Sequence, residues 1–301
     1  MNRLLIVGTV AFDSIETPDT RVDKVLGGAA THISISASLF NINSAVISIV
    51  GGDFPTKYFE IFKRRNIDIS SLKIEKNGKT FYWIGKYAKN MNQRDTLKTE
   101  VNVLENFDPV VPENFTSPNV LVLGNLDPSV QLKVMSQIIT PPKITILDTM
   151  NFWMDNAMEN LKKIISKVDL ICINDDEVKQ LTGLNSLAEG ARKILNMGPN
   201  YVIVKKGEYG SMLVDKLNTF ECPAFPVKKV KDPTGAGDSF AGGLAGYLTT
   251  VNSSSFDDIK KAIMYGTATA SFSVEGFGIN GIEKINYNDI INRVDFINKL
   301  L

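Results

Sequence analysis

Short runs of apolar, often β-branched residues recur along this chain, at Leu4–Val10, Ala45–Val50, Val120–Leu123, Ile144–Leu147, Leu170–Ile173 and Tyr201–Val204. A strand with one face in water alternates apolar and polar residues. A run that is apolar throughout fits a strand buried on both faces, as in a parallel sheet covered by helices. Between these runs lie stretches of helical periodicity: Ala29–Phe40, Tyr58–Arg65, Ser129–Ile139, Trp153–Ile165 and Ser186–Leu195. Strand and helix in alternation predict the α/β class. After about Val230 the predicted elements are helices, at Gly237–Leu248, Phe256–Val274 and Tyr287–Leu300. One segment departs from the pattern. In Lys79–Val103, the aromatic and β-branched Thr80–Ile84 and Leu97–Val103 flank the polar Lys89–Asp95, which predicts a hairpin outside the main sheet. No internal repeat, low-complexity tract or long charge run divides the chain, so one domain over residues 1–301 with a small β appendage is expected.

With 301 residues, 44% of them hydrophobic, the chain can bury a large core. Its 33 Lys and Arg balance 33 Asp and Glu, so no overall field draws in nucleic acid or an anionic membrane, and a small or locally recognised partner is expected. Cys172 and Cys222 are too few for a disulfide framework, which points to the cytoplasm. The apolar start ends at Asp13 without a small-residue cleavage pattern, so a buried first strand is expected there and not an export signal. No run approaches the roughly 20 apolar residues that span a bilayer. A single histidine, His32, excludes Ser-His-Asp hydrolysis and multi-histidine metal sites.

Polar residues follow the predicted strands at Gly8–Asp13, Gly124-Asn125, Asp148–Asn151, Asn174–Glu177 and Lys205–Gly210. The carboxyl ends of parallel strands meet at one crevice, where ligands bind. Each of these residues could equally cap the next helix. The most informative stretch is Lys231-Asp-Pro-Thr-Gly-Ala-Gly-Asp238-Ser-Phe-Ala-Gly-Gly243. Small residues leading into a helix leave free N–H groups at the positive end of its dipole, which is an anion site. Glycine inside a helix costs roughly 0.5 to 1 kcal/mol relative to alanine, so Gly242, Gly243 and Gly246 call for close approach by a neighbour. Asp238, in the first turn, either stabilises the dipole or orients a hydroxyl that attacks a phosphoryl group.

These residues resemble the C-terminal signature of the ribokinase-like carbohydrate kinases, the phosphofructokinase-B type family. Gly27-Gly28-Ala-Ala-Thr-His32 is similar to the family's N-terminal Gly-Gly segment, and Val7–Asp13 to its first strand ending in a substrate-binding acid. Asn174-Asp-Asp-Glu177 matches its Asn-x-x-Glu motif, and Lys205-Lys-Gly207-Glu-Tyr-Gly210 its nucleotide-site strand and turn. The likeness runs from the first strand to the last helices. It implies a three-layer α/β/α fold with a mostly parallel sheet and a small β lid of about residues 14–26 and 79–105. It also implies an ATP-dependent, magnesium-requiring kinase of a hydroxyl on a sugar or sugar-like acceptor, with a nucleoside as the alternative acceptor and a non-catalytic regulator as a remote one. On this resemblance Asp238 is the catalytic base and the amides of Gly235, Ala236 and Gly237 hold the transferring phosphoryl group, which suits a loose, anionic transition state. Asp13, Gly27, Gly28 and His32 face the acceptor, and Lys205, Gly207 and Gly210 line the nucleotide. Asn174 and Glu177 hold magnesium through water, Asp232 and Thr234 match positions that take a monovalent cation such as potassium, and the lid is a candidate homodimer surface.

Two departures stand out. His32 occupies a position where the family usually has Asn, and Asp148-Thr-Met-Asn151-Phe-Trp153 lacks the arginine of the family's Asp-x-Asn-x-Arg segment. Two competing motifs fail on context: Gly78-Lys-Thr80 has Lys73 where a P-loop needs Gly, and Gly276-Phe-Gly-Ile-Asn-Gly281 follows a helical run where a dinucleotide fingerprint needs a strand.

Overall fold

The computed structural model describes residues 2–301. Strand β1 (Arg3–Val7) runs through the middle of the main sheet, and the chain then leaves that sheet for β2 (Ala11–Glu16) and β3 (Arg21–Gly27). It returns through α1 (Ala29–Ala37) to β4 (Asn43–Gly51); α2 (Thr56–Arg64) follows, then the short strands β5 (Ile67–Asp68) and β6 (Leu72–Glu75). Strands β7 (Tyr82–Tyr87) and β8 (Arg94–Glu100) form a hairpin beside β2. Next come β9 (Val120–Leu123), α3 (Pro128–Ser136), β10 (Ile144–Asp148), α4 (Asn151–Asn156), α5 (Met158–Ile165) and β11 (Leu170–Asn174). They lead to α6 (Asp175–Thr182), α7 (Leu187–Leu195) and β12 (Tyr201–Lys205). The hairpin β13 (Ser211–Val214) and β14 (Thr219–Cys222) precedes the closing helices α8 (Ala236–Thr250), α9 (Phe256–Ser273), α10 (Asn280–Glu283) and α11 (Tyr287–Asn298).

Among the described residues the main sheet has ten strands in the order β14-β13-β12-β11-β10-β9-β1-β4-β5, with β6 also on β4. It is parallel from β12 to β5, and β13 and β14 add antiparallel. Beyond β1 the chain first builds towards β4 and later, from β9, in the other direction. The switch lies between β1 and β9, the place where an open parallel sheet leaves a crevice. Side chains alternate between two cores. Leu4 and Ile6 of β1 join Ile33 of α1, Leu244 of α8 and Ile263 of α9, whereas Leu5 and Val7 join Val134 of α3, Leu161 of α5 and Ile194 of α7. This is a three-layer α/β/α arrangement, and it accounts for strands that are apolar at every position.

The second sheet, in the order β3-β2-β7-β8, carries the hairpin expected at residues 79–103. The glycines of α8 have the reason the sequence asked for. A Cβ on Gly242 would lie 2.4 Å from the Ile33 carbonyl oxygen of α1, and one on Gly243 would lie 2.5 Å from Thr269 Oγ1 of α9.

Three expectations change. The first strand ends at Val7, not Val10, because the chain turns at Gly8, and Asp13 therefore sits inside β2 of the second sheet. The helix expected at Trp153–Ile165 breaks at Ala157 (φ −145°, ψ 32°), just after Asn156 turns its side chain back to the Phe152 carbonyl. Strands β13 and β14 were not anticipated, being short and, in β14, half polar.

Candidate active site

The crevice is built from loops that leave the carboxyl ends of the strands. At Gly28 (φ 91°), which caps α1, a Cβ would lie 2.5 Å from the Thr9 carbonyl oxygen, so only glycine lets the loop after β1 pass. The Ala29 N–H donates to Thr9 Oγ1 (2.9 Å) and the Ala30 N–H to Thr9 O (2.9 Å), which locks the two segments together. A Cβ on Gly27 would come within 1.9 Å of Asp13 Oδ2. The absence of side chains at 27 and 28 thus makes room for the Asp13 carboxylate, which is 6% exposed. Burial pushes the Asp13 pKa up to about 7, the nearby Asp232 charge adds to the rise, and a Gly28 N–H bond partly offsets it.

Opposite lies the start of α8. Its cap, Gly235, has φ 73°, and no side chain caps the helix. The Ala236 N–H closes a turn onto the Pro233 carbonyl (3.1 Å). Of the three amides expected at the anion hole, Ala236's therefore faces inward. Those of Gly235 and Gly237, together with that of Asp238, have no protein acceptor among the described residues. Lys205 Nζ sits 3.0 Å from where a Gly237 Cβ would be and is held by Asp148, at 3.2 and 3.3 Å from its two carboxylate oxygens. Burial alone would lower the Lys205 pKa, but Asp148, Cys172, Glu177 and Asp238 around it hold it above the ordinary lysine value. Lys205 thus stands beside the uncapped start of α8, while Gly207 (φ 57°) and Gly210 (φ 83°) form the turn beyond it.

Asp238, in the first turn of α8, has its pKa pushed up to about 7 by burial and by Asp148, against the opposing charges of Lys205 and Arg94. Glu177 is likewise pushed up to about 7 by burial, partly offset by Lys205. Asn174 and Glu177 form a reciprocal capping box: Asn174 Oδ1 accepts from the Glu177 N–H (2.8 Å) and Glu177 Oε2 accepts from the Asn174 N–H (2.9 Å). Glu177 Oε1 makes no hydrogen bond among the described residues. Among the described residues no group of three or more acids, cysteines or histidines converges for direct metal ligation. A carboxylate with one oxygen unbonded, near Lys205, fits a magnesium ion that keeps its water better than one ligated directly.

Asp232 is fully buried and accepts from the Thr234 N–H (2.8 Å) and the Gly278 N–H (3.2 Å), tying two loops together. His32 is 1% exposed and lies behind the anion loop, where a Cβ on Gly235 would meet its ring at 2.4 Å. Neither ring nitrogen has a partner among the described residues, and burial lowers its pKa to about 4, so the imidazole is neutral. The sequence marked Asp148 as a strand-end residue but not as the partner of Lys205, and it gave no sign of the second sheet's Tyr87, whose hydroxyl lies 3.0 Å from Thr234 Oγ1.

A family model described as pfkB family carbohydrate kinase matches residues 1–284. The chain is 29% identical over 252 residues to a cytidine kinase of Thermococcus kodakarensis, covering 81% of this chain and 88% of that one. It is 27% identical over 296 residues to a nucleoside kinase of Methanocaldococcus jannaschii, covering 92% of each. The crystal structure of the Methanocaldococcus jannaschii nucleoside kinase, at 24% identity, superposes with a TM-score of 0.79 over 98% of this chain and 99% of that one. With the loops, the uncapped helix and the acids in place, the match from the first strand to α10 makes this chain a member of the pfkB family of carbohydrate kinases, phosphotransferases with a hydroxyl acceptor.

Proposed function

We propose that the crevice transfers the γ-phosphoryl group of ATP to a hydroxyl on the sugar part of a nucleoside, with Asp238 as the base. The observation that carries this reading is the placement of Asp238: an acid held near neutrality at the uncapped start of α8, with Asp13 on one side and Lys205 on the other. A base works best when its pKa lies near the working pH. Asp13 accepts a hydrogen bond from the acceptor and orients the hydroxyl that is to react. Asp238 takes that proton as the oxygen attacks, and the amides of Gly235 and Gly237 with Lys205 meet the charge on the transferring oxygens. Asn174 and Glu177 would hold magnesium through water, and the ion when bound would neutralise charge on the phosphates. Asp232 already serves two backbone N–H groups and so ties the loop before α8 to the Gly278 turn. The second sheet lies over the acceptor side and excludes water, since an open site would hydrolyse ATP.

Likeness to a cytidine kinase and a nucleoside kinase supports a nucleoside over a free sugar. The test is ATP consumption with magnesium over a panel of nucleosides, pentoses, hexoses and sugar phosphates. A nucleoside with kcat/KM at least about tenfold above ribose, a difference of 1.4 kcal/mol, supports the reading. A pentose or hexose in first place overturns the nucleoside assignment, and ATP consumption indifferent to every acceptor overturns the phosphotransfer assignment.

A further inference from the structure

The site lacks the cation that its sequence departs from. No arginine stands in Asp148–Trp153, and Lys205, the other strong cation beside α8, is engaged with Asp148. A phosphoryl group in transfer spreads negative charge over three oxygens, and a second cation on the acceptor side would meet it.

The second sheet presents one. Arg94 opens β8 and is the cross-strand partner of Tyr87, just as Asp13 of β2 is the cross-strand partner of Trp83. These residues share the face turned towards the crevice. The Trp83 indole folds over Gly85, whose Cβ would lie 1.9 Å from it. The Arg94 guanidinium carbon lies 5.2 Å from the centre of the Trp83 ring, and the Tyr87 hydroxyl touches Thr234, next to the cap of α8. Arg94 is exposed and forms no ion pair among the described residues, unlike Arg21, Arg64 and Arg293. Its positive charge also acts, as a minor contribution, to lower the pKa of Asp13, Asp238 and Glu177.

We propose that Arg94 is a further catalytic residue of this kinase, its guanidinium closing on the transferring phosphoryl group from the acceptor side in place of the arginine missing after Asp148. This rests on the assignment of Asp238 and the α8 amides above. In the step itself the acceptor hydroxyl gives its proton to Asp238 and its oxygen forms a bond to the γ-phosphorus. The bond from that phosphorus to the β,γ-bridging oxygen breaks, and the electron pair leaves with ADP. Arg94 keeps its protons and donates hydrogen bonds to the phosphoryl oxygens. A planar guanidinium can do this in a bidentate way that lysine cannot.

The experiment compares wild type with Arg94→Gln, Arg94→Lys and Asp238→Asn, using ATP with whichever of cytidine and ribose the wild type turns over faster. Calorimetry of MgADP binding, with and without aluminium fluoride as a stand-in for the phosphoryl group, runs alongside and needs no turnover. Arg94→Gln is expected to lower kcat on the order of 10²-fold or more with KM for ATP within about threefold, as for removal of a charge-stabilising donor. It should abolish the gain in MgADP affinity that aluminium fluoride gives the wild type. The acid limb of kcat should move to higher pH, because Asp238 keeps Asp148 beside it and, of its two cations, only Lys205. Arg94→Lys should restore the limb but not the rate. An Arg94→Gln enzyme with kcat within about threefold of wild type, or with an unchanged aluminium fluoride effect, overturns the role of Arg94. Full activity in Asp238→Asn overturns the underlying assignment instead.

Discussion

In the main sheet, β1, β9 and β10 are buried along almost their whole length, whereas β8 of the second sheet exposes nearly every residue. The groups assigned to the phosphoryl group hang from the first kind of scaffold: Asp148 and Lys205 end buried strands, and Asp238 rides on a helix pressed between α1 and α9. Asp13, assigned to the acceptor, Arg94, proposed to meet the phosphoryl group from the acceptor side, and Tyr87 hang from the second. There the tips touch the rest of the chain through polar contacts, Asn92 to Glu208 (2.9 Å), Lys229 to Asp19 (2.9 Å) and Tyr87 to Thr234. Two cores on a shared sheet give a rigid half, whereas the second sheet is anchored to the core through Phe12 and Leu26 and grows more exposed towards β8. On the proposed assignment, the base, the α8 amides and Lys205 sit on the two-core half, while Asp13 and Arg94 reach the same reaction from the second sheet.

The largest break in that division should come from Asp238→Asn. It is expected to lower kcat on the order of 10³-fold, as for loss of a general base, with MgADP affinity nearly unchanged by calorimetry. The same change should raise the Tm of the ligand-free protein at pH 8. A carboxyl with a folded pKa near 7 and an unfolded value near 4 contributes stability that is present below the lower value and lost as pH rises through the higher one. In the wild type, kcat should therefore climb about tenfold per pH unit below about 7 and level off above it. A flat profile between pH 5 and 8 would remove Asp238 as the titrating base.

A smaller but still large effect is expected on the rigid half itself. Lys205→Met leaves the Asp148 carboxylate, 5% exposed as a side chain, without its cation. Breaking a buried pair in this way costs about 3–5 kcal/mol, read by urea unfolding. The double change with Asp148→Asn should recover part of it. Equal stability of the single and double variants would show the pair to be loose. The smallest effect belongs to the second sheet. Tyr87→Phe removes one hydroxyl contact worth about 0.5–1.5 kcal/mol. It should raise acceptor KM severalfold with Tm and nucleotide affinity little changed. A loss of stability as large as that of Lys205→Met would erase the distinction between the halves.

The rigid half was largely legible before any coordinates. The strands at Val120–Leu123, Ile144–Leu147 and Leu170–Ile173 announce themselves because burial on both faces leaves no polar position to blur the run. The helix of Asp238 was equally plain, since its small residues have no other use. Pairings across the fold were not. Asp148 and Lys205 are 57 residues apart, and nothing local in either segment predicts the other. Arg94 lies in a polar stretch that reads as a turn, and its importance comes only from which face of β8 it occupies. His32 was expected to face the acceptor, but its packing against the Gly235 backbone could not be read from α1 alone, since it depends on how closely α8 approaches.

That close approach, backbone against backbone at Gly242 and Gly243, has a consequence for how the protein comes into being. A helix so rich in glycine has little tendency to form alone, and α8 holds its shape only between α1 and α9. Chains leave the ribosome from the amino end and fold largely in that order. By the time α9 is available, both sheets have already been made. The turn at Gly235 is therefore the last part of the crevice to be finished, and a chain made only as far as β14, though it already carries Asp13, Glu177 and Lys205, still lacks the start of α8 that completes the crevice.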